Sequence, residues 1–400
     1  LYIGSTRRSC SFSLAKLANA AAEVGATTSV MNSDNGQLAS MGFLWPAIAA
    51  ETASELALAT ARGFVGLAMG IKAEATKAPP PQWTTSNRVL LEMAAVRLRD
   101  FSTSTAGPTT LICAPFALHG ATIVDFAPLH SLVRALQDGG INRLCVTDWQ
   151  PATAQMRYWC IDDYLAALNV LVDELGGAVS LVGLCQGGWM ALMYAARFPR
   201  KVRKLVLAAA PIDVGAGTSK LTEVVNNTPS IVFKELVKLG EGRVLGHHLL
   251  KFWAPPFEMD EVHRVLQPEV RIDSSAFLEL NSRFLEWYAW TLDLPGAYYV
   301  QVVEQLFKEN RLARSEFVAL GRRLDLSDVR CPVFLLAAKD DETVVPEQIF
   351  ATEHLINRGR RRSIQKAVAP CGHLGLFMGQ NILSTAWPEI SQWLLHGSKT

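Results

Sequence analysis

Val182-Gly183-Leu184-Cys185-Gln186-Gly187-Gly188 decides how this chain is read. Before it, Ala178-Val179-Ser180-Leu181-Val182 is a short apolar run rich in β-branched residues, the pattern of a buried strand. After it, Ala191, Leu192, Tyr194 and Ala195 fall at helical spacing, which predicts a helix over Trp189 to Phe198. Strand, Gly-x-Cys-x-Gly, helix is the layout of a nucleophile elbow with Cys where Ser is usual. The flanking glycines belong there because a Cβ would collide where strand and helix cross. A helix N-terminus behind the thiol favours thiolate over thiol. The plain alternative is a buried structural cysteine, and the rest of the chain decides between the two.

Strand and helix patterns alternate on both sides of the elbow. Arg88 to Phe101 is strand-like, and Thr109-Thr110-Leu111-Ile112-Cys113 and Arg143-Leu144-Cys145-Val146-Thr147 are short buried-strand candidates. Helical spacing runs through Leu129, Leu132, Val133 and Leu136, and again from Ile161 to Leu175. Val202 to Ala210 is the next strand. The alternation then stops, and residues 213–325 are mostly helical in pattern with aromatic clusters such as Phe284, Trp287, Tyr288 and Trp290. It resumes with a strand at Cys331–Ala338, a helix at Pro346–Asn357, a strand at Arg362–Ala369 and a helix at Ile382–Leu395. The fold class is α/β: a mostly parallel sheet, helices on both faces, and a helical cap inserted over the strand ends where such sheets bind ligands. The core is expected over 86–212 and 326–400, the cap over 213–325, and an N-terminal helical segment over 43–85 that ends at Pro79-Pro80-Pro81. Residues 1–42, opening on Leu rather than Met, read as a disordered or artefactual leader.

Composition excludes several function classes. The 400 residues carry 38 basic and 37 acidic side chains, well mixed, with no electrostatic footprint for nucleic acid. The apolar stretch Phe43–Met69 is broken by Glu51, Glu55 and Arg62, so no transmembrane segment is expected; a surface-lying amphipathic helix is compatible with it. No secretory leader is recognisable, and the seven widely spaced cysteines read as reduced thiols, so a cytoplasmic location is expected. No metal site and no bound cofactor are expected, since no Cys/His cluster has ligand spacing.

An activated thiol needs a base, and the base an orienter. In elbow enzymes these follow the nucleophile in the order acid, then His, each on a loop after a late strand. Asp341 lies three residues past the strand ending at Ala338, and His373 follows the strand ending near Ala369. Asp341 is the first choice of acid, and Asp340 stays open. The candidate catalytic residues are therefore Cys185, Asp341 and His373. The oxyanion of an acyl transfer would be held by the backbone N–H of Gln186 and by one from the loop at Phe116 and Ala117. His119 lies just past that loop and is expected either to bond its own loop or to meet substrate. Cys10, Cys113, Cys145, Cys160, Cys331 and Cys371 read as structural, and Trp189 as packing behind the elbow.

From about Thr109 to Leu395 the chain resembles the polyhydroxyalkanoate synthases and intracellular poly(3-hydroxybutyrate) depolymerases, α/β-hydrolases with a Cys nucleophile. The resemblance is carried by Val146-Thr147-Asp148-Trp149, Asp162-Asp163-Tyr164 and Ala210-Pro211-Ile212-Asp213, and it puts the family's Cys, Asp and His on Cys185, Asp341 and His373. Gly183-Leu184-Cys185-Gln186-Gly187-Gly188 and Ile123-Val124-Asp125-Phe126 look like the synthases. Ala114 through Thr122, Tyr299 through Leu306 with Arg311-Leu312-Ala313, and Cys371 through Phe377 are more similar to the depolymerases. Glu342 stands where synthases typically have His, and the Asn-Pro-Pro that usually follows the synthase histidine is missing. The leading expectation from this resemblance is hydrolysis of poly- or oligo-(3-hydroxybutyrate)-type esters through an acyl-cysteine. The alternatives are a synthase loading hydroxyacyl groups from a coenzyme A thioester, and a non-catalytic granule-associated protein. Implied partners are a polyester or hydroxyacyl ester substrate, with a polymer granule surface and a homodimer as further candidates.

Overall fold

A computed structural model of the chain describes residues 80–253, 259–266, 274–357 and 363–396. The leader expected over 1–42, the stretch Phe43–Met69, Cys10 and most of the segment expected over 43–85 lie outside the described residues.

Aliphatic runs without alternation build the middle of the sheet. The strands are β1 (Arg88–Glu92), β2 (Val96–Asp100), β3 (Thr110–Cys113), β4 (Leu144–Trp149), β5 (Val179–Leu184), β6 (Val202–Ala208), β7 (Val333–Ala338) and β8 (Ile364–Ala369). They form an eight-stranded sheet in the order β1-β2-β4-β3-β5-β6-β7-β8. β5 and β7 are buried at every position, as strands covered on both faces must be, whereas of the edge strands β1 is largely exposed and β8 mostly half-buried. β1 pairs antiparallel with β2, and β2 antiparallel with β4. From β4 to β8 every pairing is parallel, so the carboxyl ends of β3, β5, β6, β7 and β8 open on one side.

Helices α1 (Leu132–Asp138), α2 (Ile161–Glu174) and α3 (Gln186–Arg197) connect the first parallel strands. Ser131 caps α1 by accepting from the Arg134 N–H, and α2 carries Asp162 and Asp163 in its first turn, where they favour the helix dipole. Between β6 and β7 come α4 (Lys220–Asn227), α5 (Ser230–Leu239), α6 (Gly246–Trp253), α7 (Met259–Leu266), α8 (Ser274–Ala289) and α9 (Gly296–Gln301). α10 (Pro346–Phe350), α11 (Thr352–Ile356), α12 (Gly375–Met378) and α13 (Gln380–His396) complete the chain.

The structure corrects the expected elements in four places. The helix expected through Leu129 starts at Leu132, because Leu129 takes a φ of +66°. α3 starts at Gln186 rather than Trp189, because Gln186, Gly187 and Gly188 form its first turn. β6 ends at Ala208, since Ala209 takes a φ of +45° and cannot continue a strand. The single helix expected over Pro346–Asn357 is two short ones meeting at Ala351. Beside its helices the insertion carries short pairings, Arg243–Val244 with Leu294–Pro295 and Val318–Ala319 with Arg322–Arg323, and Val302–Lys308 winds as a π-helix.

The insertion packs on loops at the carboxyl ends of the strands. The Leu292 N–H donates to the Leu118 carbonyl after β3, and the Ala152 N–H after β4 donates to Asp293. Added to these backbone bonds is an aromatic cluster of Phe116, Trp149, Tyr164 and Tyr298.

Candidate active site

Cys185 sits between β5 and α3 with φ +48° and ψ −120°, a conformation that side chains rarely adopt. Its N–H donates to the Ala208 carbonyl on β6, and its own carbonyl accepts from the Gly188 N–H. The close crossing explains the glycines. A Cβ on Gly183 would lie 2.6 Å from the Gly188 Cα, and one on Gly187 would lie 2.2 Å from the Cys113 carbonyl oxygen. The first turn of α3 therefore rests directly on the end of β3, which brings the Phe116–Ala117 loop beside the elbow.

β7 and β8 are parallel neighbours in register to their last residues, Ala338 opposite Ala369. Their following loops stay joined, because Lys339 donates to the Ala369 carbonyl and Asp340 to the Cys371 carbonyl. Asp341 and His373 consequently emerge side by side. The Asp341 Oδ2 accepts from the His373 Nδ1 at 2.7 Å, and its Oδ1 accepts from the backbone N–H groups of Thr343 and Val344 at 2.8 Å. Asp341 is buried, while Asp340 is exposed, so the geometry separates the two aspartates that the sequence left open. Cys185 is the second group that acts on the His373 imidazole, favouring its charged form. Burial disfavours the charged imidazole, but Asp341 and Cys185 together outweigh it and hold His373 well above its ordinary range. Thiol, imidazole and carboxylate thus act on one another in series, the imidazole hydrogen-bonded to Asp341 and interacting with Cys185.

The residues of the Phe116–Ala117 loop are braced from two directions. The Ala114 N–H donates to Thr147 Oγ1 at 3.0 Å, and Trp149 Nε1 donates to the Ala114 carbonyl at 2.9 Å. Phe116 is wholly buried, 4.6 Å centroid to centroid from Tyr164, and its carbonyl accepts from the Tyr298 hydroxyl. Gln186, the other expected donor, is the first residue of α3, where backbone N–H groups have no partner inside the helix. His119 meets the insertion rather than its own loop. Its ring lies 4.6 Å from Trp287 and 4.8 Å from Tyr288, and its Nδ1 is 3.4 Å from the Trp290 carbonyl. Glu342, beside Asp341, is turned away and paired with Lys220 of α4.

Cys113, Cys145 and Cys371 are buried, and burial pushes each thiol up to about 12, which suits the structural role expected of them. Among the described residues, no group of three or more His, Cys, Asp or Glu is arranged to hold a metal ion, and no helix is long and apolar enough to cross a membrane.

The family model of the alpha/beta hydrolase fold matches residues 134–380, from α1 to the start of α13 and thus including Cys185, Asp341 and His373. The chain belongs to this family. Its similarity extends to poly(3-hydroxyalkanoate) polymerases. The chain is 26% identical to the poly(3-hydroxyalkanoate) polymerase subunit PhaC of Haloferax mediterranei over 331 residues, covering 79% of this chain and 65% of that protein. It is 26% identical to the Allochromatium vinosum subunit of the same name over 298 residues, covering 72% of this chain and 81% of that one. The chain therefore spans less than two thirds of the Haloferax protein's length. A solved monoacylglycerol lipase from Paleococcus ferrophilus is 16% identical, with a TM-score of 0.49, 76% of this chain and 99% of that one being covered. The resemblance seen in the motifs, to the polyhydroxyalkanoate synthase-like group of α/β-hydrolases, is borne out by these relatives.

The sequence did not single out Tyr298. It lies in a run with no catalytic pattern, and only its contact with the Phe116 carbonyl marks it. Asp148, Trp149 and Asp162 drew notice through resemblance alone. In the structure Asp148 pairs with Arg99 at 2.6 Å, Trp149 braces Ala114, and Asp162 accepts from the Leu320 N–H at 2.8 Å.

Proposed function

We propose that this chain is a polyhydroxyalkanoate-type acyltransferase, in which Cys185 accepts a hydroxyacyl group from a coenzyme A thioester and passes it to a hydroxyl. The observation that carries the chemistry is the series Cys185–His373–Asp341, with the thiol on a strained turn, the imidazole interacting with it, and the buried carboxylate hydrogen-bonded to the imidazole. Choice of the transferase branch rests on the polymerase names of the matched relatives.

The Cys185 sulfur, its proton held on the His373 imidazole, attacks the thioester carbonyl. A carbon–sulfur bond to Cys185 forms, and the carbonyl electrons move onto oxygen. The N–H of Gln186 and one from the Phe116–Ala117 loop hold that oxyanion; losing one such donor costs about 2.7–4 kcal/mol of transition-state stabilisation. Collapse breaks the bond to the coenzyme A sulfur, which takes the proton from His373. In the second half His373 removes the proton of the acceptor hydroxyl, whose oxygen attacks the acyl-cysteine. The carbon–oxygen bond forms, the bond to Cys185 breaks, and the sulfur is left paired with the protonated imidazole of His373. Asp341 keeps the imidazole in one tautomer and stabilises its charged form throughout.

Hydrolysis is the second reading, favoured by the depolymerase-like Ala114–Thr122 segment and by Glu342 in place of the synthase His. It uses the same acyl-cysteine, resolved by water. Intact-mass spectrometry of wild type and Cys185→Ala after brief mixing with 3-hydroxybutyryl-coenzyme A tests both. The expected result is an acyl adduct on wild type alone, followed by chain growth. Free acid without chain growth would move the assignment to the hydrolase. No adduct and no turnover from either the thioester or a soluble trimer ester would remove the polyester reading.

A further inference from the structure

Only one side of the Phe116–Ala117 peptide is anchored by the insertion. The Tyr298 hydroxyl donates to the Phe116 carbonyl oxygen at 3.1 Å. Tyr298 is 1% exposed, belongs to α9, and packs with ring centroids 5.1 Å from Phe116 and 5.0 Å from Tyr164. Pro115 contributes no N–H, so the loop's donors near the elbow are those of Phe116 and Ala117. In a trans peptide the carbonyl and the following N–H point in opposite directions. Holding the Phe116 oxygen in the aromatic cluster therefore turns the Ala117 N–H out of it. Phe116, Tyr164 and Tyr298 of the cluster are buried, while Ala117 itself is only half-buried. The phenol is also within electrostatic reach of Cys185, so anchor and nucleophile share one locality.

We infer that Tyr298 is a positioning residue which, by fixing the Phe116 carbonyl, aims the Ala117 N–H as the second oxyanion donor beside that of Gln186. This rests on the acyl-cysteine reading above and narrows it: of the two loop residues, Ala117 donates and Phe116 supplies the handle. It also makes oxyanion stabilisation dependent on the insertion, because α9 carries the tyrosine.

The test uses the full chain and two reactions of the same sulfur. Alkylation by iodoacetamide displaces iodide at a saturated carbon and develops no carbonyl oxyanion. Acylation by 3-hydroxybutyryl-coenzyme A does. Tyr298→Phe keeps the ring and removes the hydroxyl. It should leave the alkylation rate within about twofold of wild type and slow acylation about tenfold with KM unchanged, a smaller effect than deleting a donor outright. Tyr164→Phe is the matched control, since its buried hydroxyl has no hydrogen-bond partner among the described residues. It should change neither rate. The inference is overturned by wild-type acylation in Tyr298→Phe, by a parallel fall of both rates, or by an equal loss in Tyr164→Phe. Wild type that is alkylated at Cys185 yet never acylated would instead overturn the acyl-cysteine reading, and this inference with it.

Discussion

At His373, burial and charge pull in opposite directions. Burial is the largest single influence and disfavours the imidazolium; the Asp341 carboxylate and Cys185 oppose it and prevail. The side chain is 15% exposed and that of Asp341 fully enclosed, so solvent screens this pair little. Asp341→Asn removes the leading raising influence, and the titration of the His373 ring followed by NMR should move down in that variant. Acylation should fall by roughly 10³–10⁴-fold, as expected where an imidazole loses the carboxylate that orients it. Stability follows the same linkage. The folded-state value lies above the ordinary 6.5, so the folded chain binds the proton more tightly than the unfolded one. The stabilisation is complete below that pH and is lost as pH rises through the raised value. The lead in Tm of wild type over Asp341→Asn should be widest just below pH 6.5 and narrow on the alkaline side. A lead that widens with rising pH would contradict the assignment.

The elbow works as an element because strand, turn and helix are squeezed against β3. Gly187→Ala places a methyl group 2.2 Å from one backbone carbonyl oxygen and 2.7 Å from another, neither of which is a flexible side-chain end. The first turn of α3 must then lift, at a cost of about 3 kcal/mol or more. Urea unfolding should show that loss, and Cys185 alkylation should slow with it because the turn that presents the sulfur is displaced. This stretch was legible in the sequence since two signals coincide there, an apolar β-branched run and glycines at fixed offsets from Cys185. Asp341 and His373 were legible by order and by distance from the ends of β7 and β8. The boundaries of α3 and β6 were not, because they depend on the dihedral angles of Gln186–Gly188 and Ala209, which carry no periodicity. Tyr298 and the short paired strands of the insertion were hidden for a further reason. The roles of Tyr298 and of the Arg243–Val244/Leu294–Pro295 pair come from contacts between residues more than fifty positions apart, Arg243 with Pro295 and Phe116 with Tyr298, while the local Val318–Ala319/Arg322–Arg323 pair is too short to show a strand period. His119 was noticed for its place beside the loop, but its partners come from α8 and the residue after it.

Across the whole chain, that histidine ties the end of β3 to the insertion. Its ring is gripped by Trp287 and Tyr288, and a Cβ on the adjacent Gly120 would lie 2.7 Å from the Trp290 ring, so core and insertion meet without a gap there. Burial lowers the His119 pKa to about 4, with the Trp290 carbonyl opposing it in part. At neutral pH the ring is uncharged and packs, tilted, as an aromatic among aromatics. Below the unfolded-state value of about 6.5 the unfolded chain binds a proton that the folded chain refuses until about pH 4. Each pH unit in that window costs about 1.4 kcal/mol at most, and the aromatic faces recover part of it through attraction to the cation. His119→Phe keeps a ring between Trp287 and Tyr288 but cannot titrate. The Tm difference between wild type and His119→Phe, followed from pH 7 to pH 4.5, isolates this group from the carboxylates that titrate in both chains. Wild type should lose ground steadily as the pH falls, by an amount of order 2 kcal/mol across the range. The same acid titration should slow ester acylation in wild type more than in His119→Phe, because a loosened insertion carries Tyr298 away from Phe116. A pH-independent difference would mean that the His119 ring stays solvated enough to protonate freely, and that the contact between α8 and the loop after β3 does not hold the insertion down.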